Sequence, residues 1–182
     1  MAIKVFVNMG GAAGWQFVEF FGRDVRHAGS DPLPNRWPPH LQNDPAGLNF
    51  GHQVGPRLDP RGSGIDIAGT LTVSQCSLSD NFAGNGDGGG IDNAGTLTVS
   101  QCSLSGNLAG DGGGIFNFGG TLTINQCSLS GNSAGSSGGI WNDFGATLNV
   151  LNHSSITGNT PDDVQNHGKL NQDKSSTIGV LD

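Results

Sequence analysis

Two aspartates, Asp66 and Asp92, hold the same place in two copies of one short pattern, GIDIAG and GIDNAG, and the matching place in the next two copies holds Phe116 and Trp141. If the copies stack as neighbouring strands, the two Asp backbones lie ~4.8 Å apart. Carboxylates that close can share a calcium ion, or act as the acid and nucleophile of a retaining glycosidase. The rings beside them could offer faces to a sugar. The column therefore suggests a polysaccharide ligand or substrate, with Asp66 and Asp92 as candidate catalytic residues and Phe116 and Trp141 as candidate ligand-binding residues. The plainer alternative is a solvated column that tolerates any residue.

Other patterns carry weaker chemistry. Asp87, inside GNGDGGGID, and Asp111 fall at comparable corners and are weak calcium candidates; no other cofactor is implied. A Gly- and Asp-rich calcium roll iterates roughly every nine residues, unlike the longer period here. Thr70/Thr72, Thr96/Thr98, Thr121/Thr123 and Thr147/Asn149 form an outward TxT array, the kind of hydroxyl and methyl lattice that can order water at ice, although Thr is also favoured on any sheet face. His27, His40, His52, His153 and His167 are scattered without metal-ligand spacing. His153 falls in the column of Cys76, Cys102 and Cys127 or one residue before it, depending on where an extra residue in LNVLNHSSITGN is placed.

The elements that must position these residues emerge when the middle of the chain is aligned with itself. Ile65, Ile91, Ile115 and Ile140 follow one another at intervals of 26, 24 and 25 residues. Each copy contains three short stretches, of the types GGGI, TLTV and CSLS, in which large apolar residues alternate with small polar ones, as strands require. Gly, Asn and Ser-Gln corners separate them. The expected architecture is all-β: a right-handed, single-stranded parallel β-helix with about four full coils of about 25 residues over residues 62–168. Stacking then aligns like residues into ladders. Leu71/Leu97/Leu122/Leu148 should line the interior, while Asn93/Asn117/Asn142 and Asn81/Asn107/Asn132/Asn159 should hydrogen-bond along the axis at corners. Gly89, Gly113 and Gly138 mark a corner where a Cβ would clash or where φ is positive.

At these residues, GGGIDNAGTLTVSQCSLSGN resembles the GGxI…N…TLT…S…SxN repeat of polymorphic outer-membrane proteins and related bacterial surface proteins. It is also similar to the pectin-lyase-like β-helix superfamily. The resemblance implies a secreted or cell-surface location and adhesin-like or passenger-like binding. Lyase chemistry of that superfamily further implies a cation beside the substrate carboxylate, and only the N-terminal segment could provide it, for instance through Arg57 or Arg61. The repeats lack one, because the chain between Arg61 and Lys169 contains eight Asp and no Lys or Arg.

The same charge distribution, within a net charge of −7, argues against nucleic acid as a partner. No apolar run is long enough for a membrane-spanning helix, and the first residues lack the order of a signal peptide. The three cysteines are read as buried thiols. Residues 1–61 hold seven of the eight prolines and do not repeat. They are expected to form an irregular or helical cap, with Phe17, Phe20, Phe21 and Val25 on one helical face, or else to be the imperfect beginning of a larger surface protein. Residues 169–182 are expected to form a partial coil. Exposed terminal coils make end-to-end self-association plausible. The function expected is an extracellular or cell-surface module that binds glycans or partner proteins. The alternatives are a polysaccharide hydrolase or lyase using Asp66 and Asp92 and, more remotely, ice binding through the TxT array.

Overall fold

The computed structural model describes residues 2–8, 15–21, 48–49 and 63–182. In the N-terminal part, β1 (Ala2–Asn8) and β2 (Trp15–Phe21) form an antiparallel pair, followed by β3 (Leu48–Asn49). The first turn of the repeat contains β4 (Ile65–Ile67), β5 (Thr70–Ser74) and β6 (Ser77–Ser79). The second contains β7 (Ile91–Asn93), β8 (Thr96–Ser100), β9 (Ser103–Ser105) and β10 (Leu108–Asp111). The third repeats this set as β11 (Ile115–Asn117), β12 (Thr121–Asn125), β13 (Ser128–Ser130) and β14 (Ser133–Ser136). The fourth has β15 (Ile140–Asn142), β16 (Thr147–Leu151) and β17 (Ser155–Ile156), and the fifth β18 (Val164–Asn166), β19 (Lys169–Gln172) and β20 (Thr177–Ile178).

The strands of successive turns pair in parallel and build three long faces. The first face runs β18-β15-β11-β7-β4 with β3 added antiparallel at the edge of β4, the second β19-β16-β12-β8-β5 and the third β20-β17-β13-β9-β6, while β10 and β14 form a short fourth strip. The chain is thus an all-β parallel solenoid of about five turns, with no helix among the described residues. The helix expected over Phe17, Phe20 and Phe21 is replaced by β2, whose aromatic and β-branched residues suit an extended backbone that can pair with β1. Val25, the other residue of that expected helix, lies outside the described residues. The fifth turn begins at Val164, which pairs with Ile140, so the final coil starts before Lys169.

Register explains why a chain this rich in glycine has a core. Ile65, Ile91, Ile115 and Ile140 are in-register partners, as are Leu71, Leu97, Leu122 and Leu148. Leu78, Leu104, Leu129 and Ile156 form a third column. All these side chains are buried, and each contributes roughly 1.5–3 kcal/mol by leaving water. The turns are in turn held by backbone hydrogen bonds along the axis.

Corners are secured by side-chain ladders. Asn93 donates to Asn117, Asn117 to Asn142 and Asn142 to Asn166, each through Nδ2 at 2.7 Å from the next Oδ1. The second ladder runs from Asn81 through Asn107 and Asn132 to Asn159, whose Nδ2 donates to the buried carboxylate of Asp163 at 2.8 Å. The cysteines also stack in one column. The backbone N–H groups of Cys76 and Cys102 each donate to the Sγ of the next cysteine at 3.4 Å, and that of Cys127 donates to Ser154 Oγ at 3.2 Å. Ser154 rather than His153 therefore continues the column, and His153 is the extra, exposed residue. At the glycine corner a Cβ on Gly113 would collide with Ser133 O and lie 2.7 Å from Gly138 O. Close approach between turns, and not φ, demands glycine there; positive φ falls one residue earlier, at Gly88, Gly112 and Ser137.

Candidate functional site

The column proposed from sequence exists on the first face. Asp66 pairs with Asp92, Asp92 with Phe116, Phe116 with Trp141 and Trp141 with Gln165. Each lies between an inward isoleucine or Val164 on one side and Ile67 or a member of the Asn ladder on the other, which directs it away from the core.

The two carboxylates repel each other without a nearby Lys or Arg in the repeats to offset them. Asp92 is partly buried, and its carboxyl is pushed up to about 7, first by burial and then by the charges of Asp66 and Asp87. Burial also raises Asp66, against the opposing effect of a hydrogen bond from the Ile67 backbone. A proton is thus retained at Asp92 close to neutrality.

The aromatic half of the column differs from the expectation of two free faces. Phe116 is only 9% exposed, because its ring stacks with Phe118 on one contact (centroids 6.3 Å apart) and with Trp141 on another (6.2 Å). Trp141 in turn meets His167 at 5.0 Å, and His167 stacks with Phe144 at 5.0 Å. Five rings form a continuous ridge, and its exposed surface belongs to Phe118 and Phe144, which are 58% and 74% exposed. The indole Nε1 of Trp141 is buried and has no hydrogen-bond partner among the described residues, a condition that costs ~1–3 kcal/mol and calls for an explanation.

Phe118 and Phe144 are the residues that the repeat alignment passed over, because they belong to corners where the repeat changes length. Between first-face and second-face strands the first two turns carry Ala68-Gly69 and Ala94-Gly95, and the fifth carries His167-Gly168. The third turn instead has Phe118-Gly119-Gly120, and the fourth has Asp143-Phe144-Gly145-Ala146. Gly119 and Gly145 take φ values of +66° and +78°, with open space where a Cβ would point. The longer corners therefore bulge into solvent and carry an aromatic ring at each bulge. The signal available in sequence was this growth by one and then two residues, together with the appearance of Phe in both insertions.

The remaining candidates are less assembled. Asp87 and Asp111 are bridge partners on adjacent turns, but among the described residues no group of three or more His, Cys, Asp or Glu could hold a metal ion. Arg57 and Arg61 lie outside the described residues. The TxT array occupies the second face in register from turn to turn, with Asn149 donating to Thr123 Oγ1 at 3.2 Å where the pattern lapses. Cys102 is pushed up to about 12: its hydrogen bond with Cys127 acts downward, but the bond with Cys76 and burial outweigh it. Cys127 is also raised, by its hydrogen bond with Cys102 and by burial. These are inert, structural thiols. No described helix is long and apolar enough to cross a membrane. No protein-family model, curated protein or solved structure matches the chain.

Proposed function

We propose that the protein is an extracellular or cell-surface β-solenoid that binds polysaccharide along the aromatic ridge of its first corner. The single observation that carries this reading is the pair of lengthened corners, each presenting an exposed phenylalanine, Phe118 stacked on Phe116 and Phe144 on His167, at the two ends of one series of rings. Nothing in coil stacking requires those insertions, since the first two turns close the same corner with Ala-Gly. Large exposed apolar side chains in one patch mark contact surfaces, and ring faces bordered by carboxylates suit the apolar faces and hydroxyl edges of sugars. The resemblance of the repeat to those of polymorphic outer-membrane proteins supports the surface location and an adhesin-like or passenger-like role.

Isothermal titration with a panel of soluble polysaccharides tests the reading. Binding to at least one glycan is expected, with Phe118→Ala/Phe144→Ala weakening it at least about tenfold while the melting temperature is kept. Unchanged affinity in the double variant refutes the ridge. Capture of a protein partner with no affinity for any glycan would transfer the ridge to protein recognition.

A second reading, polysaccharide hydrolysis, draws on the retained proton of Asp92 beside Asp66. It follows the pattern of two carboxyl groups whose environments separate their roles. Release of reducing ends that is abolished by Asp92→Asn supports it, and no turnover on any glycan that binds removes it.

A further inference from the structure

The ridge has a definite charge character, which narrows the class of glycan beyond the reading above, on which this inference rests. We propose that the ligand is a polymer of sugars bearing free amino groups, its rings lying on Phe118, Phe144 and the flank of Trp141 while its ammonium groups face Asp66 and Asp92.

Four observations converge on this choice. First, the ridge and the carboxylates are continuous: Asp92 is the direct strand partner of Phe116, whose ring touches both Phe118 and Trp141. One extended ligand laid along the axis from Asp66 to Gln165 would cross four inter-turn steps, roughly 19 Å, and meet both chemistries. Second, like charges at directly paired positions destabilise a sheet, yet Asp66 and Asp92 are paired. The first four turns contain no Lys or Arg that could relieve this. A ligand cation would do so. Third, the flanking rings attract a cation through their faces, whereas a uronate polymer would bring carboxylates against carboxylates. Fourth, the Trp141 indole N–H, without an acceptor among the described residues, sits in the same column and can be satisfied by a sugar oxygen once the ring shifts with the ligand.

The test compares soluble oligomers of glucosamine, N-acetylglucosamine and galacturonate of equal length by isothermal titration against the full chain, at neutral pH and low salt. Glucosamine oligomers are expected to bind at least about tenfold more tightly than the N-acetylated ones, with galacturonate weakest, as a charge-assisted contact implies. Asp66→Asn/Asp92→Asn should bring the ratio between glucosamine and N-acetylglucosamine oligomers close to one. Asp80→Asn, which removes the same type of charge from an exposed corner elsewhere, should leave the ratio as it is. Equal binding of the two oligomers, tightest binding of galacturonate, or a preference that survives in the Asp66/Asp92 variant each overturns the amino-sugar assignment while leaving glycan binding in place. Absence of binding to any saccharide overturns both. Circular dichroism of each variant verifies that the solenoid is intact.

Discussion

Replacement of Asn117 by Leu is the sharpest probe of what holds the corners together. Asn117 is fully buried. Its Nδ2 donates to Asn142 Oδ1 at 2.7 Å and lies 3.2 Å from Thr147 O and 3.4 Å from Gly120 O, and its Oδ1 accepts from Asn93 Nδ2 at 2.7 Å. Leucine is close to asparagine in length and branching, so little cavity opens, but every one of these bonds is lost. Asn93 Nδ2 keeps a 3.3 Å contact with Gly95 O, and Thr147 O belongs to a paired strand, so these two groups are only partly deprived. Asn142 Oδ1 loses its amide donor. One orphaned buried acceptor at ~1–3 kcal/mol plus two weakened groups gives roughly 2–4 kcal/mol. The assay is urea unfolding followed by circular dichroism, with Asn81→Ala for comparison. At that ladder end only the donation to Asn107 disappears, and Asn107 Oδ1 still accepts from the Asn81 backbone, so the cost should be about 0.5–1 kcal/mol. A shift in midpoint without a change in slope is expected. If Asn117→Leu stays within ~0.5 kcal/mol of the wild type, the ladder fills space and the hydrogen-bond account fails.

Further outcomes follow from the same geometry. Cys102→Ala should cost ~1–3 kcal/mol by leaving the Cys76 N–H without its acceptor, whereas Cys102→Ser should be milder, since Ser154 already fills that role one turn beyond Cys127; equal losses in thermal melts would refute the acceptor role. Gly113→Ala should unfold the solenoid or lower its melting temperature steeply, because the added carbon meets Ser133 and Gly138 carbonyls; a melting temperature like the wild type's would contradict the close approach. For Asp92, the folded form binds its proton more tightly than the ordinary 3.8 of the unfolded chain, so wild-type stability should fall as pH rises from about 4 through about 7. Asp92→Asn should flatten that fall and be the more stable form at pH above 7; parallel melting curves for the two proteins across this window would refute the shift. In the native protein, the buried thiols should resist alkylation, and labelling at the unfolded rate would show that the column is open.

The fold was legible because its information is one-dimensional. When a repeat returns every 24 to 26 residues, equivalent positions must stack, and register follows from the period alone. The isoleucine, leucine, cysteine and asparagine columns could therefore be named residue by residue. The β2 strand was misread as helix because phenylalanines at positions 17, 20 and 21 satisfy helical spacing, while pairing with β1, a non-local contact, decides in favour of strand. The site was half legible. Its acidic pair and the Phe116–Trp141 neighbours lie on the regular lattice, so stacking places them.

Only the tertiary structure decided which aromatic surface is offered. Phe116 looked available in the alignment and is covered, whereas Phe118 and Phe144, displaced from the lattice by inserted residues, project outward. The amino-acid sequence determined the axial order of the rungs, because strand pairing between like residues is the lowest-energy way to satisfy a small-residue backbone. How far a lengthened corner swings, and which ring it lays over its neighbour, depends on three-dimensional contacts among turns, and no period encodes them.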